Sequence, residues 1–309
     1  MSIYHTSVLL DESVTALVGP RDGVYADATY GGGGHTAEIL SRLSNKGSVL
    51  AFDRDEDAIQ NKIDDSRLTL IRSNYRFIHN HVLYQGYKEG IDGVLADLGV
   101  SSHQFDTAER GFSFRFDAPL DMRMNTKAGL TAADVINTYR EIDIERILRL
   151  FGEVNNSKKL ASQICYARDR AKIETTTDLN KAIEPSTPKF AEHKFLAKVY
   201  QALRIEVNQE MRSLEKFLSG ATTSLKPGGR LVIITYHSLE DRMVKNFIKT
   251  GNIDGKIEKD FYGNISAPLR AVNRKPIIPK EAEIAKNTRA RSAKLRIAEK
   301  PLDGEGGKR

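Results

Sequence analysis

Four side chains that can accept protons or hydrogen bonds come where strand-like runs end. Asp27, Asp53 and Asp97 each close an apolar run, and His237 follows the apolar run 229–236. Carboxylates accept hydrogen bonds, and a neutral imidazole can take up a proton near neutral pH. Because ligands of parallel sheets bind beyond the carboxyl ends of the strands, the sequence predicts a ligand site that these side chains share.

A run of glycines follows the first of these carboxylates. Gly31–Gly34 separate a strand-like run from a helix-like one, with Asp27 four positions before the first glycine. Glycines remove every Cβ and make positive φ cheap, so the backbone can approach a ligand closely. An acid followed by G-x-G is typical of the first motif of S-adenosylmethionine (SAM) methyltransferases, in which the turn wraps around the amino-acid end of the cofactor.

A dinucleotide fold is the main alternative for this turn. Its G-x-G-x-x-G pattern is matched by Gly31 and Gly33, but Thr36 occupies the third glycine position. Asp53 follows at about the distance where an acid binds a ribose. Both cofactor classes use such an acid, so Asp53 does not discriminate between them. It does argue against a glycine turn without any ligand.

Asp97 and His237 are the candidates for chemistry. Asp97 could accept a hydrogen bond from the cofactor or from a target amine, and Gly99 leaves room beside it for a flat base. The alternative for the next residues is a helix N-cap formed by Ser101 or Ser102. His237 is a candidate proton acceptor by position, with Ser238 expected to cap the next helix.

Basic residues gather in two places. One is a segment that interleaves arginine with phenylalanine and methionine; the other is the C-terminal end, which contributes to a net charge of +6. The first could stack a flipped base and hold its phosphates, or could be a loop packing its own apolar residues. The residues predicted to contact RNA phosphates are Arg110, Arg115, Arg123, Arg289, Arg291 and Lys294.

Composition is that of an ordinary globular protein. The chain has 309 residues, with 40% hydrophobic and 28% charged. No window approaches the roughly eighteen apolar residues that a membrane span needs, and no secretory signal is evident. Cys165 is the one cysteine, which excludes an internal disulfide and a cysteine-based zinc site. We therefore expect a cytoplasmic protein without membrane attachment.

Strand and helix signals alternate over the first hundred residues and predict an α/β fold with a mostly parallel, Rossmann-like sheet. Helical periodicity without strong strand signal follows, and a strand signal returns at 229–236. We predict a methyltransferase domain formed by residues 1–109 and 209–301, an inserted all-helical substrate-recognition domain at 110–208, and a disordered tail at 302–309.

Nine segments together resemble the bacterial small-subunit (16S) ribosomal RNA cytosine-N4 methyltransferases, the RsmH or MraW family. They are long, occur in order and cover nearly the whole chain: 29–35, 52–55, 97–102, 109–114, 119–124, 201–205, 227–231, 237–242 and 289–296. Two stretches, 5–10 and 287–296, depart from the family pattern by losing a proline, and the second of them contains the segment 289–296. A proline affects backbone stiffness and not chemistry.

The resemblance implies SAM as methyl donor and a cytidine in the decoding region of 16S rRNA as target. The family's cofactor contacts correspond to Gly33, Gly34, His35, Asp53, Asp97 and Gln104, and its aromatic position after the third strand to Tyr75. Both free small-subunit rRNA and an assembling 30S subunit fit as substrate. A monomer and a homodimer are both compatible with the sequence.

Methylation of the cytosine amine is mainly a positioning task, because its lone pair is delocalised into the ring. Asp97, His237 or a backbone carbonyl could accept the amine proton, and this chemistry requires no metal. Three other functions fit the sequence less well. The basic clusters disfavour a SAM enzyme for small molecules, the glycine turn with Asp53 disfavours a non-enzymatic RNA-binding protein, and Thr36 disfavours a nicotinamide oxidoreductase.

Overall fold

The computed structural model describes residues 7–127, 129–259 and 267–302. The chain divides into two compact units, one formed by Met1–Gly99 with Arg212–Arg309 and the other by Val100–Met211. The predicted inserted domain, 110–208, begins ten residues later and ends three residues earlier than this second unit. His5 and, apart from Leu302, the tail predicted at 302–309 lie outside the described residues.

The first unit holds a seven-stranded sheet in the order β3-β2-β1-β4-β5-β7-β6. Strands β1 to β5 run parallel, whereas β7 pairs antiparallel with both β5 and β6. This confirms the predicted Rossmann-like α/β class. The strands are β1 Val24–Asp27, β2 Ser48–Asp53, β3 Leu68–Arg72, β4 Ile91–Asp97, β5 Leu225–Thr235, β6 Arg270–Ala271 and β7 Lys294–Glu299.

The central strands are buried on both faces. Successive residues of β2 belong to two different cores: Leu50 and Phe52 to one, Val49 and Ala51 to the other. This follows from the period of two along a strand, and it explains why these strands are continuously apolar and not alternating. The helices of this unit are α1 Leu10–Leu17, α2 Gly34–Arg42, α3 Glu56–Gln60, α4 Ile78–Tyr84, α12 Ser238–Thr250 and α13 Glu281–Lys286, with α11 Glu210–Ser224 spanning the boundary.

The described part of the second unit is built from helices around its own core, with one isolated bridge between Pro119 and Thr175. Its helices are α5 Ser102–Asp106, α6 Ala132–Thr138, α7 Glu141–Leu150, α8 Ser157–Arg168, α9 Thr176–Ile183 and α10 Glu192–Asn208. None of the helices in the described part of the chain has the length and apolar character needed to cross a membrane.

Apolar residues recur at helical spacing through 190–218, but the structure divides this segment into α10 and α11. Gln209 has a φ of 50° and caps α10, which ends at Asn208. The Asn208 side chain accepts a hydrogen bond from the Met124 amide at 2.8 Å and donates one to the Met122 carbonyl at 2.7 Å. The break therefore coincides with an asparagine that anchors a loop of the same unit.

Candidate active site

The glycine turn joins β1 to α2 and is constrained on its protein side. Gly31 and Gly33 have φ values of +51° and +78°. A Cβ on Gly33 would lie 2.9 Å from the Tyr30 hydroxyl, and one on Gly34 would collide with the Ser7 hydroxyl. Glycine is thus required here by packing as well as by backbone conformation.

Asp27 holds this turn from beneath. Its side chain is fully buried; one carboxylate oxygen accepts from the Thr29 amide at 3.1 Å, and the other accepts from the Thr36 hydroxyl at 2.7 Å. The threonine that departs from the dinucleotide pattern is therefore the partner of the strand-ending acid. Asp27 shapes the ligand turn from inside the protein.

Asp53, at the end of β2, is hydrogen-bonded directly to the turn. Its Oδ2 accepts from the Gly31 amide at 2.8 Å, and its Oδ1 accepts from the Asp55 amide at 2.8 Å. Burial raises the pKa of this carboxyl, and the two amide hydrogen bonds oppose that shift. The two sequence signals for a cofactor, the glycines and the acid after the second strand, thus meet in one hydrogen bond.

Asp97 ends β4 and is surrounded by polar groups. Its amide donates to the Thr29 hydroxyl at 2.7 Å, and its Oδ1 accepts from the Tyr236 hydroxyl at 2.8 Å. Its Oδ2 lies 3.8 Å from His35 Nδ1. Burial raises the pKa of Asp97 to about 6, opposed by His35 and by the Tyr236 hydrogen bond. This carboxyl can therefore exchange a proton near neutral pH.

His35, the first residue after the glycines, is buried in α2. Its Nε2 lies 3.2 Å from the Val8 carbonyl, which can only accept, so Nε2 carries a proton. Its Nδ1 lies on the side of the Asp97 carboxyl, 3.8 Å from Oδ2. The ring is fixed on the inner side of the turn, and its backbone amide belongs to the first turn of α2.

His237 is predicted as a proton acceptor next to a helix capped by Ser238, but the structure gives a different arrangement. It is itself the N-cap of α12: its ring accepts from the Glu240 amide at 3.4 Å, and Glu240 Oε2 accepts from the amides of Tyr236 and His237 at 2.9 and 3.4 Å. Its Nε2 lies 3.1 Å from Glu240 Oε1, outside hydrogen-bond geometry. The expected Ser238 cap is therefore wrong. Because both ring nitrogens face Glu240, the arrangement favours a structural role for His237 over the predicted proton acceptor.

Two further cofactor candidates lie on short helices. Tyr75 opens the 3-10 turn Tyr75–Phe77 after β3, and its ring packs edge-on against Phe217, with centroids 5.1 Å apart. Gln104 belongs to the helical unit and is 5% exposed. Its Oε1 accepts from the Ser101 amide, and its own amide donates to the Ser101 hydroxyl, each at 3.2 Å. This reciprocal pair is a capping box and fits the N-cap expected near Ser101.

Two of the arginines predicted to contact RNA are engaged inside the helical unit. Arg110 is only 9% exposed and donates to the carbonyls of Arg123 and Met124 at 3.0 and 3.2 Å. Arg123 forms a two-pronged pair with Asp121 at 2.9 and 2.7 Å. Both side chains hold the segment 110–124 together, and their contact with RNA phosphates stays a prediction. Arg115 is exposed.

The C-terminal candidates lie in the first unit. Arg289 and Arg291 are exposed on the 3-10 turn Thr288–Ser292, which Asn287 caps. Lys294 begins β7 and lies 3.4 Å from Asp241, a carboxylate that also accepts from Arg296 at 2.7 Å. The two arginines are thus exposed at the surface of this unit, and Lys294 lies beside the Asp241 carboxylate.

Known proteins match nearly the whole chain. The sequence model of the MraW methylase family matches residues 2–301. A protein of Bacteroides fragilis strain YCH46 named "Ribosomal RNA small subunit methyltransferase H" is 59% identical over 297 residues, covering 96% of this chain and 97% of its own. A Flavobacterium johnsoniae protein of the same name is 52% identical, covering 96% and 98%.

One matching solved structure is more distant in sequence. The crystal structure of an rRNA methylase from Streptococcus thermophilus is 16% identical, covers 94% of this chain and 93% of its own, and has a TM-score of 0.38. A likeness at that level supports no argument about this site.

Proposed function

Because the chain belongs to the MraW methylase family, we propose that it transfers a methyl group from SAM to the N4 amine of a cytidine in the decoding region of small-subunit (16S) rRNA. The observation that carries this proposal is the joining of three features at the carboxyl ends of β1, β2 and β4. These are the positive-φ glycine turn, the Asp53 carboxylate bound to it, and the half-buried Asp97 carboxyl held by the Tyr236 hydroxyl.

The residues of this edge fit SAM. Gly33, Gly34 and the amide of His35 form a turn that has no room for side chains on its protein side and presents backbone to a ligand. Asp53 would accept from the ribose hydroxyls, as an acid after the second strand does in folds of this kind. Tyr75 would offer its ring to the adenine. Gln104 stays a predicted cofactor contact from the helical unit.

When bound, SAM supplies an electrophilic methyl group on a positively charged sulfur. The protein must align the amine nitrogen with that methyl and accept the proton that nitrogen loses. We assign proton acceptance to Asp97, because its pKa of about 6 leaves it ionised at neutral pH yet able to take up a proton. His237 is the weaker candidate, since its Nδ1 accepts from the Glu240 amide as the N-cap of α12 and its Nε2 lies against the Glu240 carboxylate.

Substrate binding is assigned to exposed cations. Arg289 and Arg291 in the first unit and Arg115 in the second could contact RNA phosphates. The substrate would be small-subunit rRNA, free or within an assembling 30S subunit, which implies action in the cytoplasm. The exchange of glycine for Thr36, now explained by its bond to Asp27, further disfavours a nicotinamide oxidoreductase.

The test uses 16S rRNA from cells that lack the gene. The purified protein, with SAM carrying a labelled methyl group, should introduce one labelled N4-methylcytidine, identified by nuclease digestion and mass spectrometry. Parallel reactions on free rRNA and on reconstituted 30S subunits identify the form that is methylated. Label in another nucleoside, or in neither RNA form, would contradict the proposal.

A further inference from the structure

Tyr236 is a residue that the sequence did not single out, and it reaches the centre of the candidate site. It follows β5 directly, and its hydroxyl donates to Asp97 Oδ1 at 2.8 Å. The chain after β4 makes room for its ring: Gly99 has a φ of +107°, and a Cβ there would lie 3.3 Å from Tyr236 Cδ2. The ring is thus seated between the ends of two neighbouring strands.

Because of this contact, the two carboxylate oxygens of Asp97 have different surroundings. Oδ1 is taken by Tyr236, and the backbone of Asp97 is fixed by the hydroxyl of Thr29. Around Oδ2, within the residues that the structure describes, the nearest charged or ring nitrogen is His35 Nδ1 at 3.8 Å, too far for a hydrogen bond. The carboxyl is therefore held in one orientation with one oxygen able to accept from another donor.

We propose that Tyr236 is a positioning residue for methyl transfer: it holds Asp97 Oδ1 so that Oδ2 can accept the proton of the target amine. The inference rests on the proposed function. As the amine nitrogen bonds to the methyl carbon, the carbon–sulfur bond breaks and its electron pair stays on sulfur. The proton that the nitrogen loses passes to Oδ2, so that charge and atoms balance.

A pH dependence follows from the groups that surround Asp97. His35 faces it from α2, Asp27 from β1, Tyr236 from the end of β5 and Glu240 from α12. The Tyr236 hydrogen bond lowers the pKa of Asp97, and burial raises the pKa of Tyr236 well above its usual value. Tyr236 therefore remains a hydrogen-bond donor. Loss of its hydroxyl should raise the pKa of Asp97, and with it the pH above which Asp97 can accept a proton.

The experiment compares Tyr236→Phe with Tyr87→Phe. Tyr87 belongs to the same unit and loses one hydroxyl contact, to Ser48 at 3.2 Å near the amino ends of the strands. Single-turnover methyl transfer at saturating SAM is measured from pH 5 to 9, and SAM affinity by calorimetry. The Asp97 carboxyl is titrated by carbon-13 NMR in the protein without RNA, which gives a readout independent of activity.

For Tyr236→Phe we expect the rate at pH 7 to fall about tenfold, the size of one hydrogen bond to a charged group, with SAM affinity within about twofold. The acid limb of the rate profile and the Asp97 titration should both move to higher pH, and raising the pH should restore much of the rate. Tyr87→Phe should leave both profiles in place. Incorporation of 3-fluorotyrosine at position 236, a stronger donor of similar shape, should move both to lower pH.

An unchanged acid limb and an unchanged Asp97 titration in folded Tyr236→Phe would overturn the inference, as would a rate loss that no pH restores. If Tyr236→Phe does not fold, the fluorotyrosine protein decides alone, and an unmoved titration there rejects the inference. Wild-type protein that binds SAM but methylates no small-subunit rRNA would instead refute the proposed function, whatever the NMR titration shows.

Discussion

Thr36 donates its hydroxyl hydrogen to the buried carboxylate of Asp27 at 2.7 Å, which ties the first turn of α2 to the end of β1. Thr36→Val should lower the free energy of unfolding by about 1–3 kcal/mol, because it leaves a buried carboxylate oxygen without its donor. SAM affinity should fall with it as the glycine turn loosens. Thr36→Ser retains the hydroxyl and serves as control. Chemical denaturation with calorimetry measures both, and equal stability of the valine and serine variants would refute the role of the bond.

Asp53 should matter for SAM binding in two ways. Asp53→Ala removes the carboxylate expected to hold the ribose, and it also removes the acceptor of the Gly31 amide. We expect SAM affinity to weaken by about 1–3 kcal/mol, the range of a lost charge-assisted hydrogen bond. Asp64→Ala, an exposed acid of the same unit, is the control. Calorimetry that finds unchanged affinity in folded Asp53→Ala would exclude Asp53 from the cofactor site.

Asp97→Asn tests proton acceptance directly. Asparagine keeps the shape and one acceptor but loses the charge. If Asp97 accepts the amine proton, single-turnover methyl transfer at saturating SAM should slow by roughly a hundredfold or more, with little change in SAM affinity. A fall in SAM affinity in step with the rate would indicate that Asp97 mainly orders the cofactor. Normal rate and normal affinity would reject both roles.

The same substitution should stabilise the protein at neutral pH. The pKa of Asp97 is raised from 3.8 to about 6, so the folded state favours the protonated carboxyl. The Asp97 carboxyl therefore contributes fully to the free energy of unfolding below pH 3.8, and this contribution is lost as the pH rises through about 6. Asparagine never ionises, so the free energy of unfolding of Asp97→Asn should exceed that of the wild type by up to about 3 kcal/mol at pH 8. Below pH 3.8 the variant should show no such gain. Denaturant unfolding across this range measures the difference, and a pH-independent difference would contradict it.

Exposed arginines near β7 should contribute to RNA binding through charge. Replacing both Arg289 and Arg291 with alanine should weaken RNA binding and reduce the slope of log affinity against log salt by about one unit per lost contact. SAM affinity should stay unchanged. The control replaces Lys46 and Lys88, two exposed cations of the same unit, and so removes equal net charge. An equal effect of both double variants would indicate general attraction without a local site.

The strands of the sheet could be predicted because their signal is strong and local. Apolar runs ending in Asp53 and Asp97 gave both the strands and the edge at which ligands bind. Tertiary partners decided what was not predicted. Arg110 lies in a basic segment but bonds to carbonyls inside the helical unit, and His237 caps its own helix through Glu240. Tyr236 has no signal of its own in the sequence, because its partner, Asp97, is distant along the chain. No spacing rule connects the two residues; only the pairing of β4 with β5 does.

That pairing also has a consequence for synthesis on the ribosome. Leu95 of β4 pairs with Val232 of β5, and the whole of Val100–Met211 is translated between them. Until β5 emerges, β4 is the last strand of an incomplete sheet, with an apolar and unpaired edge. The nascent chain must therefore keep this edge from aggregating while more than a hundred residues are added. Because contacts between residues far apart in sequence form slowly, the first unit can complete its sheet only after β5 has been synthesised and has paired with β4.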